Sequence, residues 1–293
     1  MMFRIFQLVY KALRCFFCDK KIFCSYALLE MIFLNFKIGD LVTRVSHKHD
    51  IVFKIVGFEN NKVFLKGVDL RLFADSDISD LVNINYNYSL SDNEIIDANI
   101  RNVSLDRSQY FYLPGKILHI DGDNEYLERC MSFYEKMNIK ANGLSLPESE
   151  FAGKIGELLM EFRPDIVVIT GHDAFYKRNN NGDRENHYQN TNNFIDAVRV
   201  ARKYEKSQDK LIIIAGACQS NYEELIKAGA NFASSPKRIN IHALDPAIIA
   251  SSLALSDKNQ SIDIINLIEK TKYGSDGIGG IITNGTMYVG YPR

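Results

Sequence analysis

The chain has 293 residues, 46% hydrophobic and 24% charged, which is the balance of a globular protein with one large domain or two smaller ones. Its net charge of −1 and pI near 6.6 argue against a protein built mainly to hold nucleic acid or anionic lipid. Five unevenly placed cysteines do not form a disulfide framework, so we expect a reducing intracellular setting.

The first 36 residues differ in character from the rest of the chain. They are hydrophobic and basic, and Lys or Arg residues interrupt every apolar run, so none approaches the roughly 18 apolar residues that span a bilayer. A signal peptide fits poorly because the charges do not precede one clean apolar block. Cys15 and Cys18 have metal-ligand spacing, but no second pair completes a zinc site. We interpret residues 1–36 as an extension translated from upstream of a start at Met31, with membrane-surface attachment as the alternative.

Residues 37–82 contain short runs rich in Val, Ile and Phe, such as KIGDLVTRVS, DIVFKIVGFE and KVFLKGVDL. Several such strands within about 50 residues predict a small, partly open β-barrel domain of SH3-like size, with a packing or substrate-presenting role. Residues 83–113 are rich in Asn, Ser and Asp and have weak periodicity. We predict a linker there, partly mobile, that exposes Arg101 and Arg107.

From residue 114 to residue 293 the chain alternates strands and helices. Uniformly apolar strands such as KILHID, DIVVIT and KLIIIAG are separated by amphipathic segments such as NEYLERCMSFYEKMNI and NNFIDAVRVARKYE. A parallel sheet covered by helices on both faces requires strands of this kind. We therefore predict a three-layer α/β sandwich with a mainly parallel sheet, of caspase-like or flavodoxin-like type.

Polar and reactive residues follow the predicted strands. In an open parallel sheet, ligands and reactive side chains gather at the carboxyl ends of the strands. In chain order, the residues at these ends are Asp121 and Asp123, then Gly171, His172 and Asp173, then Cys218, and finally His242 and Asp245.

His172 and Cys218 follow consecutive strands and are 46 positions apart (218 − 172), which leaves room for one helical crossover. A cysteine attacks as the thiolate and needs a nearby base, so a Cys–His pair is a nucleophile with its proton acceptor. We expect Cys218 to open the following helix, whose N–H groups favour a thiolate and can bind an oxyanion. The Gly and Ala residues around the pair leave room for a substrate backbone.

Other interpretations of these residues stay open. A lone cysteine or histidine at a strand end is ordinarily a buried structural residue. Asp121 and Asp123 before a helix also resemble the acid cluster of receiver domains, which would make this an inactive binding module. A Cys218–His172 pair would serve a non-peptidase thiol hydrolase or amidase equally well. Elsewhere we expect His119 and Cys130 to be buried, and His47, His49 and His187 to be exposed in polar loops.

Four ordered blocks carry a family resemblance. ILHIDGD, VVITGHDA, IIIAGACQSN and NIHALDP, after a KIGDLVTR…DIVFKI barrel, resemble the YabG sporulation peptidase family of spore-forming bacteria over about residues 37–293. The resemblance implies a cysteine endopeptidase that trims spore-coat and related spore proteins at basic residues, chiefly arginine. It implies His172 and Cys218 as the catalytic residues. Caspase and clostripain-like peptidases are more distantly similar, but their histidine is followed by glycine, whereas Gly171 precedes His172 here.

A mechanistic hypothesis supplies the rest of a peptidase site. The backbone N–H of Cys218, with that of Gly171 or His172, would stabilise the oxyanion. A basic P1 side chain needs a buried carboxylate. The candidates are Asp121 or Asp123 first, Asp245 second and Asp173 third.

No metal or organic cofactor is implied, and the expected partners are protein substrates of the spore coat and cortex rather than nucleic acid. We expect no stable membrane insertion and a location in the cytoplasm of the mother cell, associated with the forming spore. Self-cleavage is a secondary hypothesis, at the linker arginines or in the polar loop FYKRNNNGDRENHYQNTNN.

Overall fold

A computed structural model describes residues 36–59, 62–101, 103, 105–175 and 188–292. These residues form two compact units. One holds the described residues up to Val68 together with Phe73–Tyr86, and the other holds Asp69–Leu72 together with the residues from Asn87 onward. The interpretation of residues 1–35, with Cys15 and Cys18, lies outside the described residues, as do the predictions for His187 and for most of the polar loop before it.

The smaller unit is an antiparallel sheet of five strands in the order β4-β3-β2-β1-β5. The strands are β1 Leu41–Arg44, β2 Phe53–Glu59, β3 Lys62–Gly67, β4 Phe73–Asp77 and β5 Leu81–Asn83. Phe53, Ile55, Val63 and Leu65 alternate with more exposed residues and are fully buried. This period of two is what a sheet with one covered face requires. The β-rich segment is confirmed, and its closure into an SH3-like barrel stays a prediction.

The larger unit contains a six-stranded sheet in the order β12-β11-β10-β9-β7-β8. Its strands are β7 Ile117–Asp121, β8 Ala141–Ser145, β9 Ile166–Thr170, β10 Ile212–Ala215, β11 Phe232–Ser234 and β12 Ile278–Gly280. Neighbouring strands are parallel except β12, which is antiparallel to β11. A separate short pair joins β6 Phe111–Leu113 to β13 Tyr288–Gly290. The mainly parallel α/β architecture is confirmed, and its caspase-like or flavodoxin-like type stays a prediction.

Helices cover both faces of this sheet, as the apolar strands require. The helices are α1 Tyr88–Arg101, α2 Asn124–Lys136, α3 Phe151–Phe162, α4 Thr191–Tyr204, α5 Tyr222–Ala228, α6 Asp245–Ala254 and α7 Ile264–Ile268. Ile212 and Ile214 of β10 pack in one core with residues of α1, α2, α6 and α7, whereas Ile213 and Ala215 pack in a second core with residues of α3, α4 and α5. Consecutive residues of a strand point to opposite faces, so one apolar run supplies both cores.

The segment that we predicted as a linker contains ordered structure. Helix α1 occupies Tyr88–Arg101, and its Ile96 is only 2% exposed within the core that also holds residues of α2. Its sequence is polar because most of the helix faces solvent, and Asp92 and Ile96 are its buried residues, so a single buried apolar position made the periodicity too weak to predict the helix. Arg101 and Arg107 are exposed, as expected. Among the helices within the described ranges, none is both long enough and apolar enough to cross a membrane.

Candidate active site

Asp121 ends β7 and is fully buried. Its Oδ2 accepts hydrogen bonds from Arg71 Nη1 at 2.6 Å and from Thr170 Oγ1 at 2.8 Å, while Oδ1 accepts from the backbone N–H of Asp123. Burial alone would raise the pKa of this carboxyl, but the charge of Arg71 and its hydrogen bonds hold the pKa well below the usual range. Asp121 is therefore a buried carboxylate that already holds a guanidinium, which is not the exposed phosphoryl acceptor of a receiver domain.

Asp123 has two functions at the start of α2. Its Oδ1 accepts from the backbone N–H groups of Glu125 and Tyr126 and caps the helix. Its Oδ2 lies 2.9 Å from Nε2 of His172. Both side chains are largely buried, with 14% of His172 and 10% of Asp123 exposed. The helix cap fixes the carboxylate, and the carboxylate in turn fixes the imidazole.

His172 follows the carboxyl end of β9. Its backbone N–H donates to Glu148 Oε1 at 2.9 Å, and its ring lies against the ring of Tyr126 with the centroids 5.7 Å apart. The Glu148 side chain passes over Gly122 and Gly171, where a Cβ atom would come within 2.2 Å and 2.6 Å of its Oε1. Glycine at both positions is what admits the carboxylate. Glu148 could not be predicted from the sequence, because it lies in a short 3₁₀ turn without apolar periodicity.

Asp173, a third-ranked pocket candidate, is engaged in local structure. Its Oδ1 accepts from the backbone N–H groups of Ala174 and Asn190, and its Oδ2 accepts from the hydroxyls of Thr191 and Ser220. The Ser220 hydroxyl in turn accepts from the backbone N–H of Ala217, at 2.9 Å. Asp173 thus connects the end of β9 to the turn that follows β10, and it braces the segment that carries Cys218.

The expectation that Cys218 opens a helix is wrong. Helix α5 begins at Tyr222, and Asn221 caps it by accepting from Glu224 N. Cys218 lies in the turn before that cap, where Gln219 has a left-handed backbone with φ of 59°. A non-glycine residue in this region breaks a helix rather than starts one. Of the predicted oxyanion donors, the N–H of His172 already donates to Glu148 Oε1, and the roles of the Cys218 and Gly171 N–H groups stay predictions.

Cys218 itself is 1% exposed. Its sulfur accepts from the backbone N–H of Ile241 at 3.2 Å, and the backbone N–H groups of Ile241 and Arg71 both act to lower the pKa of the thiol. Burial raises the pKa of the thiol to about 12, more than these N–H groups lower it. Among the described residues, the hydrogen-bond partner of this sulfur is the main chain of Ile241 and not His172. The thiol is accordingly protonated and covered.

Asp245 and His242 form a separate buried cluster at the start of α6. Oδ2 of Asp245 accepts from His242 N and Oδ1 accepts from Lys272 N. Burial raises the pKa of Asp245 to about 6 and lowers the pKa of His242 to about 3. Asp245, the second candidate for binding a basic P1 side chain, therefore already accepts hydrogen bonds from backbone N–H groups of the larger unit.

The other predicted histidines and thiols lie where the sequence indicated. His119 is fully buried in β7 between the hydroxyls of Tyr134 and Thr170, and Cys130 is buried in α2. His47 and His49 are exposed. No cluster of ligands that could hold a metal ion occurs among the residues described.

Comparison with known proteins decides the family. The family model of the YabG peptidase U57 matches residues 37–292. The chain belongs to the YabG peptidase family. It is 38% identical over 286 residues to the sporulation-specific protease YabG of Bacillus subtilis strain 168, a match that covers 88% of this chain and 99% of the relative. No solved structure matches the chain.

Membership in the YabG family confirms the resemblance seen in the sequence and makes this chain a peptidase, a hydrolase of peptide bonds in protein substrates, linked to sporulation. It decides against the inactive binding module and the small-amide hydrolase. The match begins at residue 37, where the predicted extension ends. The catalytic residues and the residue preference belong to the proposal that follows.

Proposed function

We propose that Cys218 and His172 are the catalytic pair of this peptidase, with Asp123 orienting the histidine. The observation that carries the proposal is the buried His172–Asp123 hydrogen bond of 2.9 Å at the sheet edge where Cys218 also lies. Strands β9 and β10 are adjacent, parallel and in register, with Ile169 beside Ala215, so their carboxyl ends meet. A nucleophile, a base and an orienting carboxylate are the parts that such a reaction needs.

Tyr126 supports the proximity of the two reactive groups. Its ring packs against His172, and the electrostatic influence of Cys218 contributes to its raised pKa, together with burial as the larger cause. One side chain therefore packs against the imidazole and lies within electrostatic range of the thiol. The proposal requires that the two groups come into hydrogen-bond range when a substrate displaces what covers the sulfur, since catalytic hydrogen bonds often tighten only in the complex.

The proposed reaction assigns each proton. Because Nε2 of His172 is held by Asp123, Nδ1 is the nitrogen that takes the proton of the Cys218 thiol. The sulfur then bonds to the scissile carbonyl carbon, the C–N bond breaks, and the imidazolium returns its proton to the leaving amine. Water, deprotonated by the same histidine, hydrolyses the thioester and regenerates the thiol. Asp123 stabilises the imidazolium in both steps.

The substrates in this proposal are proteins of the forming spore, including coat proteins, cut after basic residues and chiefly after arginine. The name of the Bacillus subtilis relative supports a function in sporulation. A fully buried acid at the sheet edge, Asp121, supports a preference for a guanidinium. The mother cell is the proposed site of action.

The test is cleavage of a peptide with one arginine by wild type, Cys218→Ala and His172→Ala proteins, with the new termini sequenced. Both variants are expected to lose at least about 10²-fold in kcat, since each removes a reacting group. His49→Ala, which removes an exposed histidine, is the matched control and keeps full activity. Cleavage by Cys218→Ala at the wild-type rate would remove the nucleophile assignment, and an arginyl chloromethyl ketone that labels another residue would do the same.

Self-cleavage is the secondary proposal, supported by exposed arginines in the same chain. Arg101 ends α1, and Arg107 lies in the turn before β6. Intact-mass measurement of purified wild type and Cys218→Ala protein tests it. A lower mass for wild type than for Cys218→Ala, with a new terminus after either arginine, supports self-cleavage. Identical intact masses contradict self-cleavage.

A further inference from the structure

Residues Asp69–Leu72 lie between β3 and β4 in the chain but belong to the larger unit. Leu70 forms an antiparallel bridge with His242. Arg71 N donates to Ile241 O at 3.3 Å, and Ala243 N donates to Asp69 O at 2.9 Å. The segment is therefore held by its main chain along residues 241–243, through an isolated bridge and two hydrogen bonds, which is the kind of backbone pairing by which peptides dock.

The Arg71 side chain is fully buried in a pocket made for a guanidinium. Nη1 donates to Asp121 Oδ2 at 2.6 Å, and Nε and Nη2 donate to Ala243 O at 3.3 Å and 3.1 Å. The guanidinium carbon lies 4.9 Å from the centre of the Tyr126 ring. Nη2 also approaches Cys130 Sγ at 3.6 Å. A carboxylate, a carbonyl and an aromatic face together recognise the planar, charged fork of arginine.

The backbone of the same residue lies at the candidate nucleophile. Arg71 N donates to Ile241 O at 3.3 Å, and Ile241 N donates to the sulfur of Cys218 at 3.2 Å, so the main chain of Ile241 connects Arg71 to the thiol. Thus Arg71 fills an acidic pocket with its side chain, and its main chain is bonded to the residue that donates to the thiol. A peptide substrate with arginine at the cleaved bond would have to meet both requirements at once.

We propose that the pocket around Asp121 is the subsite for the basic side chain of the substrate, and that Asp69–Leu72 occupies it as an internal substrate mimic. The inference rests on the proposed function, because it identifies Cys218 as the nucleophile. Leu72 N donates to Leu70 O at 2.9 Å, which makes a tight turn centred on Arg71. The Arg71–Leu72 bond is thereby held out of the extended form in which peptides pair with a strand, so the segment blocks the subsite.

The alternative is that the Arg71–Asp121 pair is a structural ion pair alone. A purely structural pair needs only the two side chains, whereas here the main chain of the segment is also paired along residues 241–243, and Ile241 of that stretch donates to the thiol. A tethered occupant competes at an effective concentration on the order of mM, so arginyl peptides must displace it. Internal competition therefore predicts a high KM that falls when Arg71 is removed.

The first experiment measures binding without catalysis. Arg71→Ala protein is titrated with agmatine, an alkylguanidinium, while its thermal unfolding is recorded. We expect a saturable rise in Tm for Arg71→Ala, none for wild type, and none for Arg71→Ala/Asp121→Asn, which lacks the acid. Arg202→Ala is the matched control, because the Arg202 guanidinium bonds Gly229 O and Asn231 rather than an acid. No rise for Arg71→Ala, or an equal rise in the double variant, overturns the proposal.

The second experiment measures access to the site and also serves if Arg71→Ala folds poorly. Arg71→Lys keeps a positive charge that can pair with Asp121 but loses the planar guanidinium and its paired N–H donors. We expect KM for an arginyl peptide to fall by about tenfold and Cys218 to be alkylated faster by iodoacetamide than in wild type. An unchanged KM and an unchanged alkylation rate contradict the internal mimic. The activity of Cys218→Ala tests the nucleophile assignment, whereas agmatine binding tests the subsite and requires no cleavage. Failure of one proposal can therefore be distinguished from failure of the other.

Discussion

Asp123 offers the sharpest test of the proposed chemistry, because one carboxylate caps a helix and orients the candidate base. In Asp123→Asn the side-chain oxygen can still accept from Glu125 N, so the cap of α2 survives. The amide nitrogen, however, replaces the oxygen that lies 2.9 Å from His172 Nε2. That nitrogen is a donor, so the imidazole must accept from it and carry its proton on Nδ1. The ring is then in the wrong tautomer to take a proton from the thiol.

The expected magnitudes separate the two functions. Asp123→Asn should lower kcat by about 10²-fold or more, as the loss of positioned acid–base catalysis does, with less than about 1 kcal/mol lost from the free energy of unfolding. Asp123→Ala should lose the same activity and, in addition, about 1 kcal/mol of stability from the cap. The matched control is Asp263→Ala, which removes the cap of α7 made with Asn266 N and should cost stability without activity.

The assays are kcat for an arginyl peptide and urea unfolding of each variant. The decisive comparison is Asp123→Asn with wild type. If its kcat stays within a few-fold of wild type while its unfolding midpoint is unchanged, Asp123 is a helix cap and nothing more. The proposed orientation of His172 would then be refuted, whatever the role of Cys218.

Two further predictions concern the frame around the site. The pKa of His242 is about 3 in the folded protein and about 6.5 in the unfolded chain, so its contribution to stability is complete above pH 6.5 and is lost as the pH falls toward 3. In urea unfolding measured at several pH values, His242→Asn should show a weaker loss of stability toward acid pH than wild type. Parallel plots of unfolding free energy against pH would contradict the assignment. Gly216→Ala should lower the free energy of unfolding by more than about 1 kcal/mol, because φ is +108° and the new Cβ would lie 2.9 Å from Leu225. Gly153→Ala, in open space on α3, should raise it by about 0.5–1 kcal/mol. Equal unfolding midpoints for the two variants would contradict this prediction.

The parts of the fold that the sequence predicted are those encoded by local pattern. Apolar runs such as LIIIA are compatible only with strands buried on both faces, and the sheet contains them in that form. Strand β8 was not predicted. Its Asn142-Gly143 pair is typical of a hairpin turn, yet both residues lie within the strand. Gly143 is needed there for another reason, since a Cβ would come within 2.7 Å of Met131 Sδ on α2.

The residues at the strand ends could be listed from the sequence, but not their partners. Parallel topology alone brings Asp121, His172 and Cys218 to one edge. Which acid serves which function depends on single hydrogen bonds, and these depend on side-chain directions that no periodicity encodes. The two leading pocket candidates therefore differ in a way that the sequence could not show: Asp123 bonds His172, and Asp121 bonds Arg71.

Arg71 marks the limit of prediction from local pattern. It lies 50 positions before Asp121, inside a segment whose neighbours on both sides are strands of the smaller unit, so the sequence assigned it to a barrel. A full positive charge with no exposed surface is nevertheless costly unless it is paired, and removing one partner of such a pair costs about 3–5 kcal/mol. The segment is therefore bound to its pocket strongly enough to fix the resting state. In the proposed exchange, a substrate arginine that replaces Arg71 restores the ion pair of Asp121, so the net cost of occupying the subsite would be smaller than the cost of leaving Asp121 unpaired.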